Sequence, residues 1–147
     1  MPTSTSTNPA TLVRRYAAVG YTPVFDAENR WFRRLHADAD HEAWLLTWLP
    51  GQGTDLHDHG GASGAFTVLR GTIAEDVVAP NGLTTVSWTE REVRPFGPHH
   101  VHRVHNAGDA PAVTLHVYAP GLTAMSQYSY ANGELTLVRT DRAGVDW

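Results

Sequence analysis

His57 and His59 stand one residue apart in the segment Leu56-His57-Asp58-His59-Gly60-Gly61-Ala62-Ser63-Gly64. In an extended chain, side chains alternate faces at a rise of about 3.3 Å per residue, so the two imidazoles share a face with Cα atoms roughly 7 Å apart. That spacing lets both rings converge on one cation at about 2.0–2.1 Å. A second cluster, His99-His100-Val101-His102-Arg103-Val104-His105, can supply a third nitrogen. His100 and His102 share one strand face and His99 and His105 the other, so parity alone leaves His100 and His102 as alternatives. Three neutral imidazoles without a carboxylate keep the full charge of a divalent ion and leave coordination positions open, as catalytic sites do. Such an ion favours an anionic ligand such as a thiolate. Iron and zinc both fit three histidines.

Two more groups of residues have chemical potential. Thr114-Leu115-His116-Val117-Tyr118 places a hydroxyl, an imidazole and a phenol on one face of a strand. In such a row Thr114 can orient His116, and His116 can orient Tyr118, which then donates to a bound substrate. The run Trp31-Phe32-Arg33-Arg34-Leu35 sets two arginines in an apolar strand, on opposite faces. Arg33, if it points inward, needs an anion, and a guanidinium suits a carboxylate bidentately.

The elements that must position these residues read mostly as strands. Asn8 as N-cap, Pro9 at the first helical position and Gly20 as a stop predict a short helix with Leu12, Tyr16 and Val19 as its apolar stripe. Strands are predicted at 30–36, 43–49, 65–69, 72–78, 83–88, 100–106, 112–118 and 135–139, separated by turn signals such as Pro80-Asn81-Gly82 and Ala131-Asn132-Gly133. Many short strands with regular turns point to an all-β barrel or double-sheet sandwich. Residues 1–7 read as a disordered tail and 8–147 as a single domain, a size at which a core forms without staples.

Composition removes several functional classes. With no cysteine, disulfides, thiolate ligands and a cysteine nucleophile are all excluded. A net charge of −4 argues against nucleic-acid binding. No apolar run approaches a membrane span, and residues 1–7 lack a signal-peptide layout, so a cytoplasmic protein is expected. A monomer is the expected oligomeric state.

The spacing of Gly51, His57, His59, Gly64 and Gly71 resembles the first signature of the cupin superfamily, which implies a double-stranded, jelly-roll-like β-barrel. Gly64 stands where that signature carries a glutamate ligand. His102-Arg103-Val104-His105-Asn106 resembles the end of the second signature, and its asparagine spacing favours His102 over His100. Within the superfamily the chain resembles the cysteine dioxygenase family of thiol dioxygenases, bacterial type. The matching text is Trp48, His57-Asp58-His59, Leu69-Arg70-Gly71, His102 to Asn106 and Ala112 to Pro120, within residues 30–121.

The resemblance implies a mononuclear non-haem Fe(II) on His57, His59 and His102. It places a Ser-His-Tyr relay on Thr114, His116 and Tyr118, with threonine replacing serine. It puts the arginine for the substrate carboxylate on Arg33 and a cis-proline at Ala119-Pro120. Animal members carry, where Gly64 stands, a cysteine crosslinked to the tyrosine, and this chain has none to form that Cys-Tyr crosslink. The implied reaction adds O2 to L-cysteine to give cysteine sulfinate. Arg33 and Pro120 favour cysteine over 3-mercaptopropionate, whose enzymes carry glutamine at the arginine position. Cysteamine or 3-mercaptopropionate as substrate, and a non-catalytic metal-binding cupin, are the alternative readings.

Overall fold

The structure, a computed structural model, describes residues 7–144, so all of the expected tail except Thr7 lies outside the described residues. The chain opens with helix α1 (Pro9–Ala17). Asn8 caps it: its Oδ1 accepts from the amides of Ala10 and Thr11 at 3.0 and 3.2 Å. These bonds satisfy donors that the first helical turn leaves without partners. Leu12 and Val13 are the buried residues of α1, with Tyr16 packed beside them. Val19 lies beyond the last helical residue and is 69% exposed, so the stripe ends one turn earlier than its sequence spacing predicts.

Eleven strands follow. They are β1 (Trp31–Ala37), β2 (Glu42–Trp48), β3 (Leu56–His57), β4 (Ser63–Arg70), β5 (Thr72–Ala79), β6 (Gly82–Thr89), β7 (Val93–Phe96), β8 (His102–His105), β9 (Ala112–Ala119), β10 (Ala124–Ala131) and β11 (Glu134–Arg142). They form a five-stranded sheet, β1-β2-β9-β4-β7, and a six-stranded sheet, β11-β10-β3-β8-β5-β6. The named pairings are antiparallel. The result is a jelly-roll of two facing sheets rather than a fully closed barrel.

The central strands of the five-stranded sheet are covered on both faces. Ala43, Ala65, Leu115 and Val117 look outward and are covered by Leu12 and Val13 of α1. Trp48, Phe66, Val68 and Tyr118 look inward and meet Ile73 and Val104 of the opposite sheet. β9 lies between β2 and β4, so its residues are buried on both sides apart from the last. Its inward row, Thr114, His116 and Tyr118, therefore sits on the most supported strand of the sheet. The Ala119–Pro120 peptide bond is cis.

Candidate metal centre and its pocket

Three elements deliver the three histidines. His57 ends β3 and pairs across the ladder with His102, the first residue of β8. His59 follows in the turn before β4. Asp58 clamps that turn: its carboxylate accepts from the Ser126 amide at 2.9 Å, the Gly60 amide at 3.1 Å and the Tyr128 hydroxyl at 2.8 Å. Gly60 has a φ of +60° and lies so close to the Ala124 carbonyl that a Cβ would collide with it. The turn therefore requires glycine. The two imidazoles converge because a turn follows His57, not because a regular strand continues through His59.

The donor atoms of His57, His59 and His102 all lie within 4.8 Å of one another. The ring centroids form a near-equilateral triangle of 5.0, 4.8 and 4.9 Å, with each pair of rings close to edge-to-face. His57 donates from Nδ1 to the Asp55 carbonyl at 2.8 Å, and His102 donates from Nδ1 to Glu75 Oε2 at 2.7 Å. Each of these rings thus keeps its Nε2 lone pair. His59 is 1% exposed, and neither of its ring nitrogens has a hydrogen-bond partner. Leaving a buried polar atom without a partner costs about 1–3 kcal/mol. A cation held by the three lone pairs removes that cost, so the residues fit a divalent metal.

Burial is the main force that keeps these rings neutral. It lowers His57 to about 3, with the charge of His102 acting in the same direction. It takes His59 well below the ordinary histidine value and lowers His102 against the opposing pull of Glu75. A second cluster, His36, Asp38 and His41, provides a contrast. There His36 Nε2 meets Asp38 at 2.7 Å and His41 Nε2 meets the Tyr16 hydroxyl at 2.8 Å. There the Nε2 atom of each histidine already has a protein partner.

His100 is not drawn into the triangle. It precedes β8, and its Nε2 contacts Glu75 Oε2 at 2.8 Å. Glu75, on β5, is fully buried. Burial raises its pKa, but hydrogen bonds from His100 and His102 and the charge of Arg94 outweigh that and hold it well below the usual carboxylate range. Sequence reasoning missed Glu75 and Asp58. The available signal for Glu75 was an acidic pair, Glu75-Asp76, in the middle of a run whose other residues are mostly apolar, Thr72–Ala79.

A cavity of about 360 Å³ opens beside His57 and is lined also by Arg30, Phe32, Trp44, Tyr118 and Gln127. Two arginines line this cavity, Arg139, whose Nε is held by Asp141 at 3.2 Å, and Arg30, and Arg33 is not among them. Alternation along β1 explains the difference: Phe32 and Arg34 face Trp44 on the inner side, which leaves Arg33 exposed on the other. Arg30, half-buried ahead of β1, lies over the Trp48 ring at 5.2 Å. Among the described residues it has no carboxylate in ion-pair contact. Burial lowers its pKa, while Tyr118 and Asp55 pull it back up.

The row on β9 is linked along only part of its length. Trp48 Nε1 donates to Thr114 Oγ1 at 2.8 Å, and Thr114 Oγ1 contacts His116 Nε2 at 2.8 Å. His116 Nδ1 is buried without a partner, and the His116 and Tyr118 rings are 6.4 Å apart, so no hydrogen bond joins them. Tyr118 instead stacks on His59 at 5.1 Å. Burial raises its pKa far above that of an ordinary phenol, so it is a neutral donor at the cavity wall.

Gly64 pairs with Tyr118 across the ladder. A Cβ at Gly64 would lie 2.6 Å from Phe96 Cε2, so the Phe96 ring fills the space that a side chain there would need. Phe96 in turn stacks on His59 at 4.7 Å.

No helix among the described residues is long and apolar enough to cross a membrane. No curated protein sequence matches the chain. Several solved structures share its fold. TT1209 from Thermus thermophilus is 21% identical, with a TM-score of 0.59 over 67% of this chain and 90% of that one. A double-stranded β-helix protein from Klebsiella pneumoniae is 19% identical, with a TM-score of 0.57 over 79% and 90%. The Cnp3 cupin domain of Schizosaccharomyces pombe is 19% identical, with a TM-score of 0.58 over 69% of each chain. These likenesses establish a cupin fold. The family cysteine dioxygenase type I matches residues 7–131. With a three-histidine site consistent with non-haem iron, the chain belongs to the cysteine dioxygenase type I family of oxygenase-type enzymes.

Proposed function

We propose that this protein is a thiol dioxygenase that converts L-cysteine and O2 to cysteine sulfinate on a mononuclear Fe(II) held by His57, His59 and His102. The observation that carries this reading is a small cavity that brings His57, one corner of a histidine triangle with unspent lone pairs, together with an arginine that has no carboxylate partner. Ferrous iron in that cage would supply open positions and the redox capacity to bring a thiolate and O2 together. The net change adds both oxygen atoms to sulfur, taking RSH and O2 to RSO2H, the sulfinic level of thiol oxidation.

The chain's own residues account for binding and orientation. Arg30 takes the carboxylate role expected of Arg33, and its guanidinium presents a planar fork that suits a carboxylate. Stacking on Trp48 limits the orientations available to that fork. Tyr118, neutral and unmodified, donates a hydrogen bond toward the reacting end of the substrate. Thr114 and Trp48 hold His116 behind the wall, making His116 a support of the inner face. Trp44, Phe32 and Leu46 give the cavity an apolar wall on the side of β2 and β1.

Oxygen uptake and sulfinate formation by Fe(II)-loaded protein, compared for L-cysteine, 3-mercaptopropionate and cysteamine, test this. Cysteine is expected to be the best substrate. Equal turnover of cysteamine, which has no carboxylate, would remove the role of Arg30, and a preference for 3-mercaptopropionate would reassign the substrate.

A further inference from the structure

Glu75 receives four hydrogen bonds although its side chain is 0% exposed. Oε1 accepts from Arg94 Nε at 2.9 Å and Trp88 Nε1 at 3.2 Å. Oε2 accepts from His102 Nδ1 at 2.7 Å and His100 Nε2 at 2.8 Å. The three strands involved are neighbours, β8-β5-β6, with Arg94 reaching across from β7 in the other sheet. His102 is the only one of the four donors whose second nitrogen belongs to the histidine triangle.

We propose that Glu75 is a positioning residue for the metal centre: it fixes the His102 ring with its proton on Nδ1, leaving Nε2 as the ligand atom. This rests on the metal-centre reading above. A histidine in water is free to place its proton on either nitrogen and to rotate about χ2. A carboxylate on Nδ1 removes both freedoms and makes the opposite nitrogen a better base. The same oxygen accepts from His100, which settles why only one of two histidines on a shared strand face is a ligand. His100 uses its Nε2 to hold the carboxylate, and His102 passes that restraint inward.

Only a carboxylate meets the requirement. Both Oε1 and Oε2 face donors, so a glutamine, isosteric but with one NH2 end, must direct N–H groups either at Arg94 and Trp88 or at the two histidines. Arg94 also balances the charge of Glu75, so the residue acts on His102 through direction and tautomer rather than by making the site anionic.

The test uses Glu75→Gln and two measurements that do not depend on turnover. The first is Co(II) affinity by competition with a chelator, and the second is the 15N chemical shifts of the His102 imidazole in metal-free protein. In the unsubstituted chain His102 is expected to be protonated on Nδ1. Glu75→Gln is expected to weaken Co(II) binding about 10–100-fold and to alter that tautomer. If Glu75→Gln fails to fold, the shifts of the unsubstituted protein still decide. His102 protonated on Nε2 overturns the proposal, as does a folded Glu75→Gln with unchanged Co(II) affinity and tautomer. Failure of the unsubstituted protein to bind Co(II) at all would instead sink the metal-centre reading. His100→Ala, which leaves the His102 bond in place, is expected to weaken Co(II) binding less than Glu75→Gln does.

Discussion

The two faces of the five-stranded sheet are built from the same strands yet serve different ends. Toward α1, β9 presents Leu115 and Val117, both 0% exposed and packed on Leu12 and Val13. Toward the other sheet, the same strand presents Thr114, His116 and Tyr118 beside the histidine triangle. The buried hydroxyls of the outer face, Thr47 and Thr67, are satisfied by the carbonyls of Val24 and Glu92. The inner face is buried as deeply but contains nitrogens with no protein partner. Both faces contribute core packing, but only the inner one carries the unsatisfied nitrogens, and a period of two residues separates them.

Substitutions on each face should break different properties. The largest effect is expected from His102→Ala, which should abolish metal binding and thiol-dependent oxygen uptake while the apoprotein stays folded. Equal loss in His100→Ala would merge their roles. Next is Leu115→Ala on the outer face. Truncating a fully buried leucine costs about 2–5 kcal/mol, visible as a lower denaturation midpoint with chelator-competition metal affinity unchanged. A change in metal affinity would show that the faces are coupled.

Tyr118→Phe returns to the inner face. It removes one hydroxyl that the reading places at the reacting end, so kcat should fall about a hundredfold with little change in midpoint. Arg30→Gln should lose about 2 kcal/mol of carboxylate recognition, roughly thirtyfold in kcat/KM for cysteine. The same variant should barely change cysteamine turnover, and Arg33→Gln should leave both unaltered.

The most gradual effect concerns acid. Burial, aided by the charges of His102 and His57, lowers His116 to about 3. The unfolded chain protonates this group near its ordinary value of 6.5, whereas the folded chain does not until about pH 3. Protons therefore favour unfolding across that window. The contribution is complete above pH 6.5 and is lost as pH falls, by up to about 1.4 kcal/mol per unit. Urea titrations of His116→Phe should show a flatter acid limb than the unsubstituted protein; an unchanged slope would mean that His116 is already charged in the fold.

Much of this organisation was legible in the residue pattern, and the gaps have physical causes. Asn8 and Pro9 announce α1, and β-branched and aromatic runs between turn signals expose eight of the eleven strands. β3 is only two residues long, β7 contains Pro95, and β10 carries the polar run Ser126-Gln127-Tyr128-Ser129, so none of these shows a strand's hydrophobic alternation. The histidine triangle was visible because its spacing is local. Arg30 and Glu75 were not, because their roles depend on which face and which partner strand they meet. Trp31-Phe32-Arg33-Arg34 holds two arginines of opposite parity, and nothing within it says that Phe32 faces the cavity. Glu75 reads as one of two acids in Glu75-Asp76 until β8 is laid beside it.

Gly64 and Phe96 together restrict how this centre can change over time. A side chain at position 64 has no room while the Phe96 ring stays where it is. A single replacement of Gly64 by glutamate, to add an oxygen ligand, or by cysteine, to reach Tyr118, would first meet an aromatic wall. That wall also stacks on His59, so moving it disturbs a ligand. Acquiring either feature calls for a displaced or smaller side chain at 96, and either change reaches the His59 ring through the stack. The nitrogen-only centre is thus tied to the position of one aromatic ring.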